Sequence, residues 1–326
     1  MGKKITIIAI TFAVLAVTQP AYAQQSGKVW RIGTLFSGSP ATHGHYVEWF
    51  RQGLRDLGYV EGRNYVLVSY WAMGKRKRIR RLAAELVKAK VDVIFVNGGT
   101  VVRAVGKATR TIPIVVGSAT GLGTYGFVSS LARPGGNVTG STSISHELAG
   151  KRMQLLNKIV PGIRRVAYLH TGRKRRSKTR KQTEAAGKAM GVKIQPFSVK
   201  SLEDLERAFA AMKGTRPDAI LAASGSVIFY HKKRLLAFAN SMNVPVMCTR
   251  VEMARTGCLI TYVPDRTHQM RRAAAFVDKI LKGAKPGELP VERPTKFRLV
   301  INLKAAKTLG ITVPPSILLQ TTEVIE

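Results

Sequence analysis

"LAAELVKAKVDVIFVNGGTVVRAVGKATRTIPIVVGS", residues 82–118, decides the fold class of this chain. A helical pattern ends near residue 90, "VDVIFVN" follows as an apolar run, a second helical pattern spans 100–109, and "IPIVVGS" is another apolar run. Apolar runs without polar alternation are typical of parallel strands that helices cover on both faces. The stretch therefore predicts a βαβ unit and an α/β fold.

The same alternation of strand and helix extends outward to both ends of the chain. Strands are predicted at 30–36, 65–71, 91–97, 112–118, 137–143, 164–170, 192–198, 218–224, 244–249 and 258–263. Because the segment 131–140, "LARPGGNVTG", interrupts the series with Pro and Gly, it suits a passage between two domains. We expect two doubly wound parallel-sheet lobes with a ligand cleft at the carboxyl ends of their strands.

The predicted lobe boundaries follow from that passage. The first lobe is assigned to residues 24–137 and is completed by about 265–292. The second is assigned to residues 138–264 and is completed by about 293–326. The chain is expected to cross between the lobes twice more, near 262–265 and near 292–297.

The N-terminus has the three parts of a secretory signal peptide, which we assign to residues 1–23. Lys3 and Lys4 precede an apolar stretch at 5–17, and "AYA" at 21–23 is a small-x-small cleavage site. No Cys follows the predicted cut, so a lipid-anchored mature chain is not expected. The sequence predicts a soluble protein of the periplasm.

The chain is strongly basic. The 326 residues include 53 Lys and Arg against 18 Asp and Glu, a formal net charge of +35. Such a charge favours anionic partners of many kinds but says nothing about the fold. One alternative function is therefore a polyanion- or envelope-binding protein with a vestigial cleft. We expect no specific nucleic-acid partner.

The two cysteines do not indicate a disulfide scaffold. Cys248 lies late in one predicted strand and Cys258 early in the next. If these strands are parallel neighbours, the two residues lie at opposite ends of the pair, beyond the ~7 Å Cα separation that a disulfide allows. The sequence predicts that they remain unbridged.

Patterns that indicate catalysis are weak. "GLGTYG" (121–126) matches G-x-G-x-x-G, but it follows the fourth strand, and no acidic residue ends a following strand at the required distance. His43 and His45, placed in the loop after the first strand, could join His170 in a metal site. A metal-dependent α/β enzyme is thus a further alternative. We assign no catalytic residue, metal or cofactor.

Several longer stretches, spread over almost the whole chain, carry a family resemblance. They include "RQGLRDLGYVEGRNYVL" (51–67), "SLARPGGNVTGST" (130–142), "GKRMQLLNKIVPGIRRVAYL" (150–169) and "FVDKILKGAKPGELPVERPTKFRLVINLKAAKTLGI" (276–311). The chain resembles the ABC-transporter substrate-binding proteins related to the tryptophan and aromatic amino-acid binding proteins. The resemblance implies a type I periplasmic binding protein fold, a small-molecule ligand and an inner-membrane ABC permease as partner. We expect the ligand to be an anion or an amino acid. The protein itself is expected to be a monomer.

The resemblance also implies ligand contacts in the loops at strand ends. In this sequence those residues are Ser37, Gly38, Ser39, Gly99 and Thr100. The last two open a helix whose N–H groups suit a ligand carboxylate.

Three further loop positions depart from the family pattern. Relatives commonly carry Asp-Pro, Asn-Pro and Pro-Asp-Pro where this chain has Gly121, Thr171 and Gly225. Glu252 and Asp265 are the acids still placed near strand ends, so we include all five residues among the ligand contacts. Amino-acid specificity is not carried over to this chain.

The segment 171–182, "TGRKRRSKTRKQ", follows a strand and contains seven cations. Cations at the start of a helix oppose the helix dipole, and a loop at the carboxyl end of a strand tends to line the cleft. Arg173, Lys174, Arg175 and Arg176 are therefore predicted to form a rim that attracts anionic ligands. The alternative is a solvated loop without a role in binding.

Overall fold

The computed structural model describes residues 28–171, 178–223 and 225–326. The predicted signal peptide (1–23) and the rim residues Arg173, Lys174, Arg175 and Arg176 lie outside these ranges, so both stay predictions. Across the described residues, no helix has both the length and the apolar composition that a bilayer span requires.

The first lobe is a five-stranded parallel sheet in the order β2-β1-β3-β4-β5. Its strands are β1 (Trp30–Phe36), β2 (Tyr65–Trp71), β3 (Val93–Val96), β4 (Ile114–Ala119) and β5 (Val138–Thr142). Its helices are α1 (Pro40–Arg55), α2 (Arg76–Lys88) and α3 (Gly99–Ala108).

The second lobe is a seven-stranded sheet in the order β12-β11-β10-β9-β8-β6-β7. Its strands are β6 (Arg165–His170), β7 (Lys193–Ser198), β8 (Ala219–Ala222), β9 (Val246–Cys248), β10 (Ile260–Pro264), β11 (Phe297–Asn302) and β12 (Glu323–Ile325). The helices after β5 are α4 (Ala149–Ile159), α5 (Lys178–Ala189), α6 (Leu202–Thr215), α7 (Ser226–Tyr230), α8 (Lys232–Ser241), α9 (Val251–Ala254), α10 (Arg266–Leu281), α11 (Leu303–Thr308) and α12 (Pro315–Leu318), with a 3₁₀ turn at Pro286–Glu288. The two α/β lobes agree with the predicted fold class.

Helices cover both faces of the first sheet, and this explains the uninterrupted apolar runs. Phe36 and Phe95 are fully buried in the cluster formed with α1 and α10. Leu35 and Val96, their neighbours in sequence, are fully buried in the opposite cluster with α2 and α3. Alternate side chains of one strand point to opposite faces, so a strand with two covered faces must be apolar throughout.

α10 follows the second lobe's β10 in sequence but packs on the first lobe. It lies so close to α1 that a Cβ added at Gly53 would be 2.7 Å from the carbonyl oxygen of Arg271. Tyr59 Oη also donates a hydrogen bond to Asp278 Oδ1 over 3.0 Å. β5 pairs with β4, so the first lobe extends through Thr142 and the boundary predicted at residue 138 is too early.

Three crossings join the lobes, and they run side by side. The first follows Thr142, the second is the junction of β10 and α10, and the third leads into β11. Thr142 N donates to Glu292 O over 2.9 Å, and Asp265 N donates to Lys296 O over 2.8 Å. These bonds tie the third crossing to the other two.

Two features of the second sheet differ from the prediction. β11 and β12 were not predicted, and β11 runs antiparallel to β10. The prediction that the cysteines remain unbridged is wrong: Cys248 and Cys258 form a disulfide, with Cα atoms 6.1 Å apart. β9 has only three residues and ends at Cys248. Cys258 N donates a hydrogen bond to Met253 O, so the chain turns back directly after α9. This turn brings Cys258 to Cys248 instead of to the opposite end of the strand pair.

Candidate functional site

The first lobe presents the loop after β1 to the cleft. Ser39 is the N-cap of α1, and its N–H donates to Thr42 Oγ1 over 3.0 Å. His43 lies over this loop, since a Cβ added at Gly38 would be 2.1 Å from His43 Nδ1. His43 and His45 are therefore in the first turns of a helix and not in a loop as predicted. Ser37 O accepts a hydrogen bond from Gly74 N, which connects the loop to the end of β2.

The loops after β3 and β4 meet around an aromatic ring. Gly99 and Thr100 begin α3. Within the described residues, neither backbone N–H group has a hydrogen-bond acceptor. Tyr125 covers them: a Cβ added at Gly99 or at Gly121 would be 3.3 Å from its side chain. The prediction omitted Tyr125, although it lies inside the "GLGTYG" motif that was considered for another purpose.

Sequence reasoning also missed Asn97, which directly follows β3. Its Oδ1 is buried and has no hydrogen-bond partner in the part of the chain that the structure describes. A side-chain amide can donate or accept, so Asn97 suits either kind of ligand group. A polar residue directly after a buried strand was the available signal.

The second lobe brings two predicted residues together. β6 and β8 are neighbours in the sheet, and Thr171 and Gly225 follow their ends. A Cβ added at Gly225 would be 2.2 Å from Thr171 Cγ2. The small residue thus allows the two loops to touch. His170, which ends β6, is buried and stacks on Tyr168 with ring centroids 5.4 Å apart.

The proposed metal ligands do not assemble as the enzyme alternative required. His43 and His45 belong to the first lobe and His170 to the second. Among the described residues, no three His, Cys, Asp or Glu side chains are grouped as metal ligands.

The lobes touch at α1 and the segment after β9. Glu252 Oε1 lies 3.6 Å from His45 Nε2. A cavity of about 30 Å³ lies beside this contact. Both lobes line it, with Tyr46, Trp49, Thr249, Arg250, Val251, Glu252, Val263, Pro264, Arg266, Thr267 and Arg298.

Asp265, also predicted as a ligand contact, has a structural task in the second crossing. Its Oδ1 accepts a hydrogen bond from His268 N over 3.0 Å and so caps α10. A cap of this kind contributes about 1 kcal/mol to stability.

The environment of the two histidines favours their neutral forms. Burial, followed by the positive charge of Arg250, lowers the pKa of His43 to about 4. Burial also lowers the pKa of His45, and Glu252 opposes that shift. At neutral pH both imidazoles are uncharged, so the positive charge at this contact comes from arginines.

Acidification should therefore destabilise the folded protein through His43. Its pKa is about 4 when folded and 6.5 in the reference state, so the unfolded chain takes up the proton first. The stabilising contribution is complete above pH 6.5 and is lost as the pH falls towards 4. We expect a loss of about 1–2 kcal/mol after solvent screening.

Urea unfolding at a series of pH values measures this effect. His43→Gln should flatten the dependence, whereas His231→Gln, between α7 and α8, should change it less. An equal slope for wild type and His43→Gln would contradict the assignment.

Comparisons with known proteins agree with this architecture. The family model described as "ABC transporter substrate binding protein" matches residues 40–325. The tyrosine-binding protein of Clostridioides difficile is 22% identical over 263 residues, which are 80% of this chain and 75% of that protein.

Solved structures show the same fold. A Streptococcus pneumonia ABC domain in complex with L-Trp superimposes with a TM-score of 0.82 at 23% identity, covering 91% of this chain and all of that one. A conserved domain protein from Vibrio cholerae gives a TM-score of 0.81 at 23% identity, with the same coverage. Since the family model covers most of its length, the chain belongs to the ABC transporter substrate-binding protein family.

Proposed function

We propose that this protein is the periplasmic solute-binding component of an ABC importer. It traps one small ligand between its lobes and delivers it, as a monomer, to a permease in the inner membrane. No bond is made or broken in this cycle, and no cofactor takes part.

The observation that carries the proposal is the cleft. Strand-end loops of both lobes face each other, and three adjacent crossings join the lobes on one side. Rotation about a few crossing residues can open and close such a cleft. At Gly38, Gly99 and Gly225 the absence of a side chain allows neighbouring residues to pack closely against these loops at the strand ends.

Thermal unfolding in the presence of candidate ligands tests the function. Amino acids come first, because one relative is named a tyrosine-binding protein and a similar structure holds L-Trp. A true ligand at 100 times its Kd should stabilise the protein by about 2.7 kcal/mol. Small-angle scattering should show compaction with the same ligand, which should be recovered chemically unchanged.

The two alternatives predict different outcomes. A polyanion- or envelope-binding protein would bind heparin in a salt-sensitive way and gain no stability from any small ligand. An enzyme would convert the stabilising ligand. N-terminal sequencing of the exported protein tests the compartment, since periplasmic delivery requires a mature chain that starts near Gln24.

A further inference from the structure

We propose that the cleft selects a small organic anion that carries a carboxylate and no ammonium group, with Arg250 and Arg266 as its counter-charges. This inference rests on the proposed function and specifies the ligand class. It is carried by the placement of every acid in the chain and by two arginines at the lobe contact.

The structure describes every Asp and Glu of the chain. All 18 lie within the described residues, because 1–27, 172–177 and 224 contain neither Asp nor Glu. A carboxylate is the strongest partner that the chain can offer to a ligand ammonium in a dry cleft. Few of these carboxylates lie at the carboxyl ends of the strands, where the two lobes face each other.

Five acids lie in a strand-end loop or within the first helical turn after it. Glu147 pairs with Arg293, and Asp204 with Arg207. Asp265 caps α10, and Glu203 is exposed on α6. The fifth, Glu252, lies against the other lobe.

Two further acids lie near this edge because β11 runs antiparallel to β10. Glu292 lies in the third crossing and pairs with Arg272. Glu323 of β12 pairs with Arg298, which lines the cavity, so neither carboxylate is available to a ligand ammonium.

Glu252 does not create a negative site. Arg250 and Arg266 line the same cavity, and no carboxylate lies within salt-bridge distance of either guanidinium in the described residues. The guanidinium of Arg250 is 4.2 Å from the ring centroid of Phe229, which holds it by a cation–π contact. Two arginines against one carboxylate leave the lobe contact with a net positive charge.

The size of the cavity agrees with a carboxylate head group. Its volume of about 30 Å³ holds roughly two water molecules. A carboxylate there would meet guanidinium donors, with Tyr46 and Trp49 supplying apolar walls on the first lobe. An amino acid would add an ammonium group that the two guanidinium groups repel. An amine would be repelled in the same way and has no carboxylate to offset the repulsion.

Two matched ligand sets test the proposal on the exported wild-type protein by calorimetry. The first is 3-(4-hydroxyphenyl)propanoate, L-tyrosine and tyramine; the second is 4-methylpentanoate, L-leucine and isoamylamine. In each set the members share a side chain and differ in charged groups. We expect at least one acid to bind, about 10-fold or more tightly than its amino acid, and neither amine to bind.

Substitutions test the two arginines proposed to bind the carboxylate. Arg250→Gln and Arg266→Gln should each weaken binding of the acid about 10-fold or more. Arg255→Gln is the control, because Arg255 is exposed and pairs with Glu323 at 3.0 Å; it should change the affinity less than about 2-fold. Thermal unfolding without ligand checks that each variant folds.

An amino acid or amine that binds more tightly than its acid would overturn the ligand class and leave the importer function intact. Absence of binding by both acids would overturn it as well. If wild type, Arg250→Gln and Arg266→Gln bind the acid with equal affinity, the two arginines are not its counter-charges.

Discussion

Replacing Arg152 by Ala should lower the free energy of unfolding by about 3–5 kcal/mol. Arg152 lies on α4 with 3% of its surface exposed. Its Nε donates to Tyr262 O and its Nη1 to Ser145 O, each over 3.0 Å. The substitution leaves a cavity and two carbonyl oxygens without donors, and each buried unsatisfied group costs about 1–3 kcal/mol.

The position of Arg152 makes this loss relevant to function. Ser145 lies in the first crossing, and Tyr262 is two residues before the end of β10, where the second crossing begins. One guanidinium therefore holds two of the three crossings together. Burial lowers the pKa of Arg152 to about 10, so the group stays charged at neutral pH although no carboxylate pairs with it in the described structure.

Denaturant unfolding of Arg152→Ala measures the effect. Lys151→Ala is the matched control, since Lys151 is the preceding residue of α4 and is exposed; it should change stability by less than about 0.5 kcal/mol. Equal stability of the two variants would show that Arg152 does not hold the crossings.

Removing the disulfide should have the next largest effect. Cys248 and Cys258 are separated by ten residues in sequence. A loop of that length restricts the unfolded chain enough to contribute about 3 kcal/mol to folding. The double replacement Cys248→Ala/Cys258→Ala should therefore lower the free energy of unfolding by about that amount, plus the small cost of losing two buried sulfur atoms.

Thiol titration and unfolding with and without reductant separate these contributions. The wild-type protein unfolded in denaturant should show no reactive thiol until reductant is added. Reductant should lower the unfolding midpoint of the wild type and leave that of the double variant unchanged. Two free thiols in the oxidised, denatured wild type would contradict the bridge.

Much of the fold could be predicted because the signals are local. The run at 30–36 coincides with β1, since a strand buried on both faces is marked by its own residues. The run at 65–71 coincides with β2, an edge strand that is mostly half-buried but still largely apolar. The start of α1 was missed: its first turns contain Gly44 and two His, weak helix formers that were assigned to a loop and that packing against α10 stabilises. β12 is only three residues long and lacks a recognisable pattern.

The candidate site was predictable at the level of loops and not of contacts. That loops after parallel strands line a cleft follows from topology. Ser37, Gly99 and Gly225 were proposed as contacts in such loops from the family resemblance, and their contact with a ligand stays a prediction. The tasks of individual side chains could not. Asp265 caps a helix, and His45 meets Glu252, 207 positions away in sequence, only because the lobes approach at this point.

The sequence by itself determined the α/β class, the two-lobed arrangement and the family, because periodicity, strand composition and long ordered stretches are written in consecutive residues. Tertiary structure decided which lobe receives β5 and α10, whether Cys248 and Cys258 meet, and which charges face the cleft. Those outcomes depend on distances between residues far apart in the chain or on the path of a short connection. Such distances are fixed only when the packing of both sheets and their crossings is complete.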